Sequence, residues 1–224
     1  MVMHITALQQ QATNAERINI FVDGQFFLGA HEMIVLKLGL KVGQELSVEQ
    51  VAQLRQEESL QQATERALNY LSFRPRSHEE VRRYLRRKET PVELIDSVMQ
   101  RLDRLDLVND QTFASFWIDN REQFSPRGAR ALKNELRMKG VKREIIEEVV
   151  SEEQDEERAQ RAAEKKAQSL IRQPNIDFAT FRNRLGSFLQ RRGFGYDITS
   201  RTVRMLWQEL KADDELADDE SFDE

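Results

Sequence analysis

Four arginines, Arg82, Arg83, Arg86 and Arg87, fall within one short segment, SHEEVRRYLRRK, that begins at Ser77. At 100° per residue of an α-helix they gather on one side, while Val81, Tyr84, Leu85 and Lys88 gather on the other. Like charges at i,i+4 repel by roughly a few tenths of a kcal/mol per pair. A face that carries this cost suits a carboxylate or phosphate partner; the bland alternative is a solvated face. A second set, Arg130, Lys133 and Arg137, is spaced i, i+3, i+7 in SPRGARALKNELRMKG, Ser125 to Gly140, and Lys139, Lys142 and Arg143 carry the charge past its end. A third segment, DFATFRNRLGSFLQRRGF from Asp177, places Arg184 and Arg191 on one side and Arg192 near the end. The candidate anion-binding residues are therefore Arg82, Arg83, Arg86, Arg87, Arg130, Lys133, Arg137, Lys139, Arg184, Arg191 and Arg192.

Covalent chemistry has no comparable signal. The chain shows no carboxylate pair with a nearby histidine, no glycine-rich loop ending in Lys-Ser/Thr and no Ser/His/Asp arrangement. Asp23-Gly24 lacks the further glycines that a nucleotide loop needs. Cysteine is absent and histidine occurs three times, scattered, so thiolate and histidine metal sites are not expected. The expectation is a non-enzyme with no catalytic residue, metal or cofactor. Phe113, Phe116 and Trp117 could stack on bases, but their helical spacing points to a core. His78 follows a cap residue and is expected to face solvent.

The three basic segments are copies of one helical unit. Leu85, Leu136 and Leu189 occupy equivalent places, 51 and 53 residues apart, and such a period marks an array of small supersecondary units. The spacing predicts a mainly α protein of three tandem three-helix repeats behind a small N-terminal β-hairpin module. The hairpin rests on the alternation in RINIF and the Asp23-Gly24 turn; IVLKLGL, Ile34 to Leu40, fits either a strand or a short helix. Ser47 and Gln50 form a capping box that opens a helix, with a break, up to Leu71. Ser77, Thr90 before Pro91, Asn109-Asp110, Ser125-Pro126, Asp177 and Asp197 read as helix starts, and Gly140 and Gly193 as stops. The expected modules are residues 1–46 (β-rich), 47–108 (a linker helix and the first repeat), 109–152, 153–212 and an unstructured acidic segment 213–224.

Charge is arranged in blocks. The chain of 224 residues carries a net charge of -5, yet residues 213–224 hold eight acids and no base, leaving 34 basic against 31 acidic side chains elsewhere. A second acidic run spans Glu147 to Glu157. Such blocks speak of partners more than the total does. Either the acidic segment competes with DNA for the basic faces or it serves solubility. With no apolar run near membrane-spanning length and no basic-then-apolar leader, the expected location is the cytoplasm, away from membranes.

RPRSHEEVRRYLRRK from Arg74, LVNDQTFASFWIDNR from Leu107, RGARALKNELRMKG from Arg127 and FLQRRGFGYDI from Phe188 together resemble the RecX family of recombination regulators, in the family's order, over roughly Leu60 to Leu210. One departure is Lys88-Glu89, where the family often has Lys-Gly. The resemblance implies an elongated, curved array of three three-helix repeats. It implies a non-enzymatic protein that binds the RecA filament on single-stranded DNA and modulates, usually by inhibition, its recombinase and co-protease activities. The rival is a stand-alone DNA-binding helical module with weak, non-specific, salt-sensitive affinity. A monomer is expected.

Overall fold

A computed structural model describes residues 3–220, with side chains only as far as Ala212. It divides into two compact units, Met1–Arg74 with Val81–Leu107, and Pro75–Glu80 with Val108–Glu224.

The first unit opens with a four-stranded antiparallel sheet rather than a lone hairpin: β1 (Met3–Gln10), β2 (Arg17–Val22), β3 (Gln25–His31) and β4 (Glu45–Leu46), in the order β3-β2-β1-β4. The β2–β3 turn has φ of 49° at Asp23 and 80° at Gly24, the two positive values that a type I′ turn demands. The ambiguous stretch after it is helical, α1 (Glu32–Lys37), with Ile34 and Val35 buried. α2 (Val48–Leu71) runs without the expected break and starts from the complete Ser47/Gln50 capping box. Its Glu58, 5% exposed, pairs with Arg17 and accepts the His31 N–H at 3.0 Å, which fastens the helix to the sheet. α3 (His78–Arg87) and α4 (Val92–Arg104) follow, with Tyr84 of α3 stacked on Tyr70 of α2 at 4.1 Å.

The second unit holds α5 (Asp110–Phe124), α6 (Ala129–Met138), α7 (Arg143–Val149), α8 (Asp155–Ile171), α9 (Phe178–Arg191) and α10 (Tyr196–Glu220). One core gathers Phe113, Ala114, Leu132, Leu136 and Ile146; another gathers Ala163, Leu170, Phe181, Leu185, Leu189 and Val203. Phe113 is core, as its spacing predicts, while Phe116 and Trp117 are half-buried.

The repeat is visible in one closure made three times. Leu85, Leu136 and Leu189 are fully buried, and each carbonyl accepts the N–H of the residue five positions on, Thr90, Val141 and Phe194. The residue before that donor is left-handed each time: Glu89 at φ 56°, Gly140 at 81° and Gly193 at 88°. This is the bonding that closes a helix with a left-handed residue. It corrects one helix start: Thr90 belongs to the end of α3, its hydroxyl has no hydrogen-bond partner, and Pro91 precedes α4 without a side-chain cap. Ser125 does not cap α6 either, since the helix begins after Gly128. Asp197 sits in the first turn of α10 rather than ahead of it. The α10 backbone also continues to Glu220, into the segment expected to lack structure. Extending a helix already nucleated adds one bond per residue fixed, without a second nucleation cost; residues 221–224 of that segment lie outside the described residues.

Candidate functional site

The N-terminus of α6 has no local cap. Its first N–H, on Ala129, donates instead to both carboxylate oxygens of Asp155, at 2.9 and 3.0 Å, from the start of α8. The Gly128 N–H donates to the Arg192 carbonyl at 3.0 Å. A Cβ on Gly128 would lie 2.5 Å from the Gly193 oxygen, and one on Gly193 would lie 2.6 Å from the Ala131 nitrogen. The RGAR and RRGF segments are thus two halves of one backbone-to-backbone joint. The same joint recurs around residues 77–80. There Asp110 accepts the His78 N–H at 2.9 Å, Ser77 Oγ donates to the Lys139 carbonyl at 2.6 Å, and a Cβ on Gly140 would lie 2.8 Å from the Glu79 Cγ. His78 is therefore not simply solvent-facing: its Nδ1 also lies 3.1 Å from Asp110.

The two acids differ electrostatically. Burial pushes both carboxyls up. At Asp110 the hydrogen bonds from the His78 side chain and backbone, with the charges of His78 and Lys142, outweigh it and hold the group below its ordinary value. At Asp155 burial wins over the Ala129 and Arg158 bonds, with the charge of Glu152 adding to it, and the group sits above its ordinary value.

Beside the Asp155 joint opens a cleft of about 1040 Å³. One wall is α6, with Arg130, Lys133, Asn134 and Arg137; the other is the α9–α10 corner, with Gln190 and the run Gly193–Tyr196. Tyr196 is 75% exposed. The spacing of Arg130, Lys133 and Arg137 does bring them onto one wall, but their charges are unequal. Lys133 lies 2.8 Å from Glu147 and 3.5 Å from Glu152. The hydrogen bond with Glu147 raises the Lys133 pKa and lowers that of Glu147. Arg130 and Arg137 are exposed and form no salt bridge among the described residues.

The remaining candidates divide. In the first unit, Arg83, Arg86 and Arg87 are exposed on α3, opposite buried Val81 and Leu85, whereas Arg82 pairs with Asp96 at 2.6 Å. In the second unit, Lys139 is turned inward onto Glu80 at 2.6 Å and the Trp117 ring at 4.7 Å. Arg184 bonds Gln173 at 2.6 Å. Arg192 is half-buried, donating to the Pro126 carbonyl at 3.1 Å; burial, then the neighbouring Arg127 charge, disfavours its protonated form. Arg191 is exposed. Lys139 and Arg192 therefore serve the joints.

Sequence reasoning missed Tyr196, which reaches the cleft only through the tertiary fold. It also missed Arg158, 1% exposed in a helix that reads as charged surface, with Glu122, Gln154 and the Ser151 carbonyl around its guanidinium. Among the described residues no group of three or more His, Asp or Glu could hold a metal ion, and no helix is long and apolar enough to cross a membrane.

Four family models match in order: the regulatory protein RecX N-terminal domain at residues 3–47, and the first, second and third RecX three-helix domains at 63–102, 109–150 and 152–203. The regulatory protein RecX of Bacillus subtilis (strain 168) is 30% identical over 211 residues, covering 94% of this chain and 80% of the relative. That of Bacillus pumilus is 29% identical over 202 residues, covering 90% and 76%. A crystal structure of regulatory protein RecX matches with a TM-score of 0.70 at 22% identity, over 88% of this chain and 97% of that one. The crystal structure of RecX from Lactobacillus salivarius gives 0.58 at 26%, over 67% and 97%. With its N-terminal sheet, its three three-helix repeats and this match along most of its length, the chain belongs to the RecX family of regulatory proteins.

Proposed function

We propose that this protein regulates RecA by binding the RecA filament on single-stranded DNA, inhibiting its recombinase, ATPase and co-protease activities without catalysing a reaction itself, and that it does so in the cytoplasm. The observation that carries the reading is the repeated placement of exposed cations: Arg83, Arg86 and Arg87 on α3, then Arg130 and Arg137 on α6, on equivalent helices of successive repeats. A nucleoprotein filament repeats its subunits and its phosphates, and a chain that carries the same cation-bearing helix in successive repeats suits such a partner. Family membership supports the same regulator. Among the candidates, Arg82, Lys133, Lys139, Arg184 and Arg192 already hold internal partners. By exposure, the contact is assigned chiefly to Arg83, Arg86 and Arg87 on α3, to Arg130 and Arg137 on α6, and to Arg191.

The test is DNA-dependent ATP hydrolysis by the cognate RecA with this protein titrated in. Inhibition well below one copy per RecA is expected; no inhibition at excess rejects the reading. The second reading, a stand-alone DNA-binding module, is favoured by Tyr196 standing exposed beside Asn134 and Gln190 in a basic cleft. It predicts weak, salt-steep binding to oligonucleotides with RecA absent and no effect on RecA.

A further inference from the structure

The proposed function makes no use of the acidic segment, residues 213–224. We propose that the acidic segment of one copy binds the basic cleft of a second copy and links molecules head to tail. The helix that carries the segment starts at the cleft, since Tyr196 is both the first residue of α10 and part of the cleft wall. α10 then runs 25 residues to Glu220. At a rise of about 1.5 Å per residue, Asp213 lies roughly 26 Å along the helix from Tyr196 and Glu220 roughly 36 Å. Six of the eight acids, Asp213, Asp214, Glu215, Asp218, Asp219 and Glu220, fall on this stretch. They cannot return to the cleft of their own molecule, so competition within one chain is replaced by contact between chains.

Charge complementarity favours a second copy as the occupant. The segment offers two acidic triplets separated by Leu216-Ala217. The cleft offers Arg130 and Arg137, seven residues and so roughly 10 Å apart along α6, neither held by a salt bridge among the described residues. Lys133 is already taken by Glu147 and Glu152, so the attraction rests on two guanidiniums and is strongly screened by salt. A contact between two different surfaces links molecules head to tail, into rings where the rotation closes and otherwise into open chains, and either assembly grows with concentration. A cleft filled in this way is shut to any other anion, and the monomer expected from the sequence is the high-salt form.

Sedimentation velocity on the full chain tests this at about 0.01 M and about 1 M salt, where screening lengths are about 30 and 3 Å. The expected result is a mass that rises with concentration at low salt and a monomer at high salt. Two full-length variants locate the contact: Arg130→Glu with Arg137→Glu, and a second with its eight acids in 213–224 replaced by their amides. Each alone is expected to stay monomeric at low salt. Mixed, one supplies an acidic segment and the other a cleft, giving a one-to-one dimer that grows no further. Arg130→Gln with Arg137→Gln repeats the loss without adding acids. A wild-type monomer at every concentration in low salt, association of either variant alone, or a mixture that stays monomeric overturns the proposal. So does a monomeric wild-type protein whose cleft variants lose only oligonucleotide binding, which would assign the cleft to nucleic acid. None of these readouts involves RecA, so they stand or fall apart from the proposed function.

Discussion

Replacing Gly193 by alanine should unfold the second unit at markedly lower temperature. The position has φ of 88°, and an added Cβ would sit 2.6 Å from the Ala131 nitrogen and 3.0 Å from its Cα. A side chain forced into the left-handed region costs about 1–2 kcal/mol. The neighbour here is backbone at the start of α6 and cannot swing aside, so overpacking adds about 1–3 kcal/mol. The sum is about 3 kcal/mol, and at about 2–4 °C per kcal/mol for a chain of this size the melting temperature should fall by roughly 6–12 °C. Glu89 is the counterpart with the opposite sign. It occupies the same turn of the first repeat at φ 56° and is exposed. Glu89→Gly removes the left-handed strain and returns about 0.4–1 kcal/mol of that gain to the entropy of the unfolded chain, for a net stabilisation of about 0.5 kcal/mol. Melts followed by circular dichroism read both. A Gly193→Ala protein melting within about 2 °C of wild type would refute the seating of this turn on Ala131, and with it the joint that forms one end of the cleft.

Arg158→Ala should cost about 3–5 kcal/mol in urea unfolding, because it strips a buried guanidinium from Asp155 and Glu122. Arg161→Ala on the same helix, 44% exposed, should cost less than about 1 kcal/mol; equal costs would remove the buried network from the account. Asp110 sits below its ordinary value, so its stabilisation is complete above the unfolded value of about 3.9 and is lost as pH falls through the still lower folded value. Asp110→Asn should therefore flatten the decline in urea midpoint below about pH 4, and an unchanged decline would count against its bond to His78. Charge reversal at Arg83 and Arg87 together should weaken RecA filament binding while leaving stability within about 0.5 kcal/mol, as exposed substitutions do; undiminished binding removes α3 from the contact.

What could be read from the sequence was local. Leu85, Leu136 and Leu189 recur because each closes the same helix end, and Gly140 and Gly193 mark the left-handed residue that the closure needs. Ser47, Asn109 and Asp177 cap the helices they precede because donor and acceptor lie two or three residues apart. The same rule misread Thr90 and Ser125, and the reason is informative. α6 takes its cap from Asp155, 26 residues along the chain, whereas α3 keeps its local cap, Ser77 accepting the Glu80 N–H at 3.1 Å, and adds Asp110, 32 residues along, at the His78 N–H. A cap supplied by the following repeat leaves no signal next to the helix it serves. It does leave one at the repeat period: an acid opening α5 in the second repeat and another opening α8 in the third. The cleft follows from this borrowed capping. Because Asp155 and the Gly193 turn must both reach the start of α6, the α9–α10 corner is held beside Arg130 and Arg137. The arginines whose spacing suggested a free basic face thereby acquire an opposite wall, and with it a site of defined width in place of a stripe of charge.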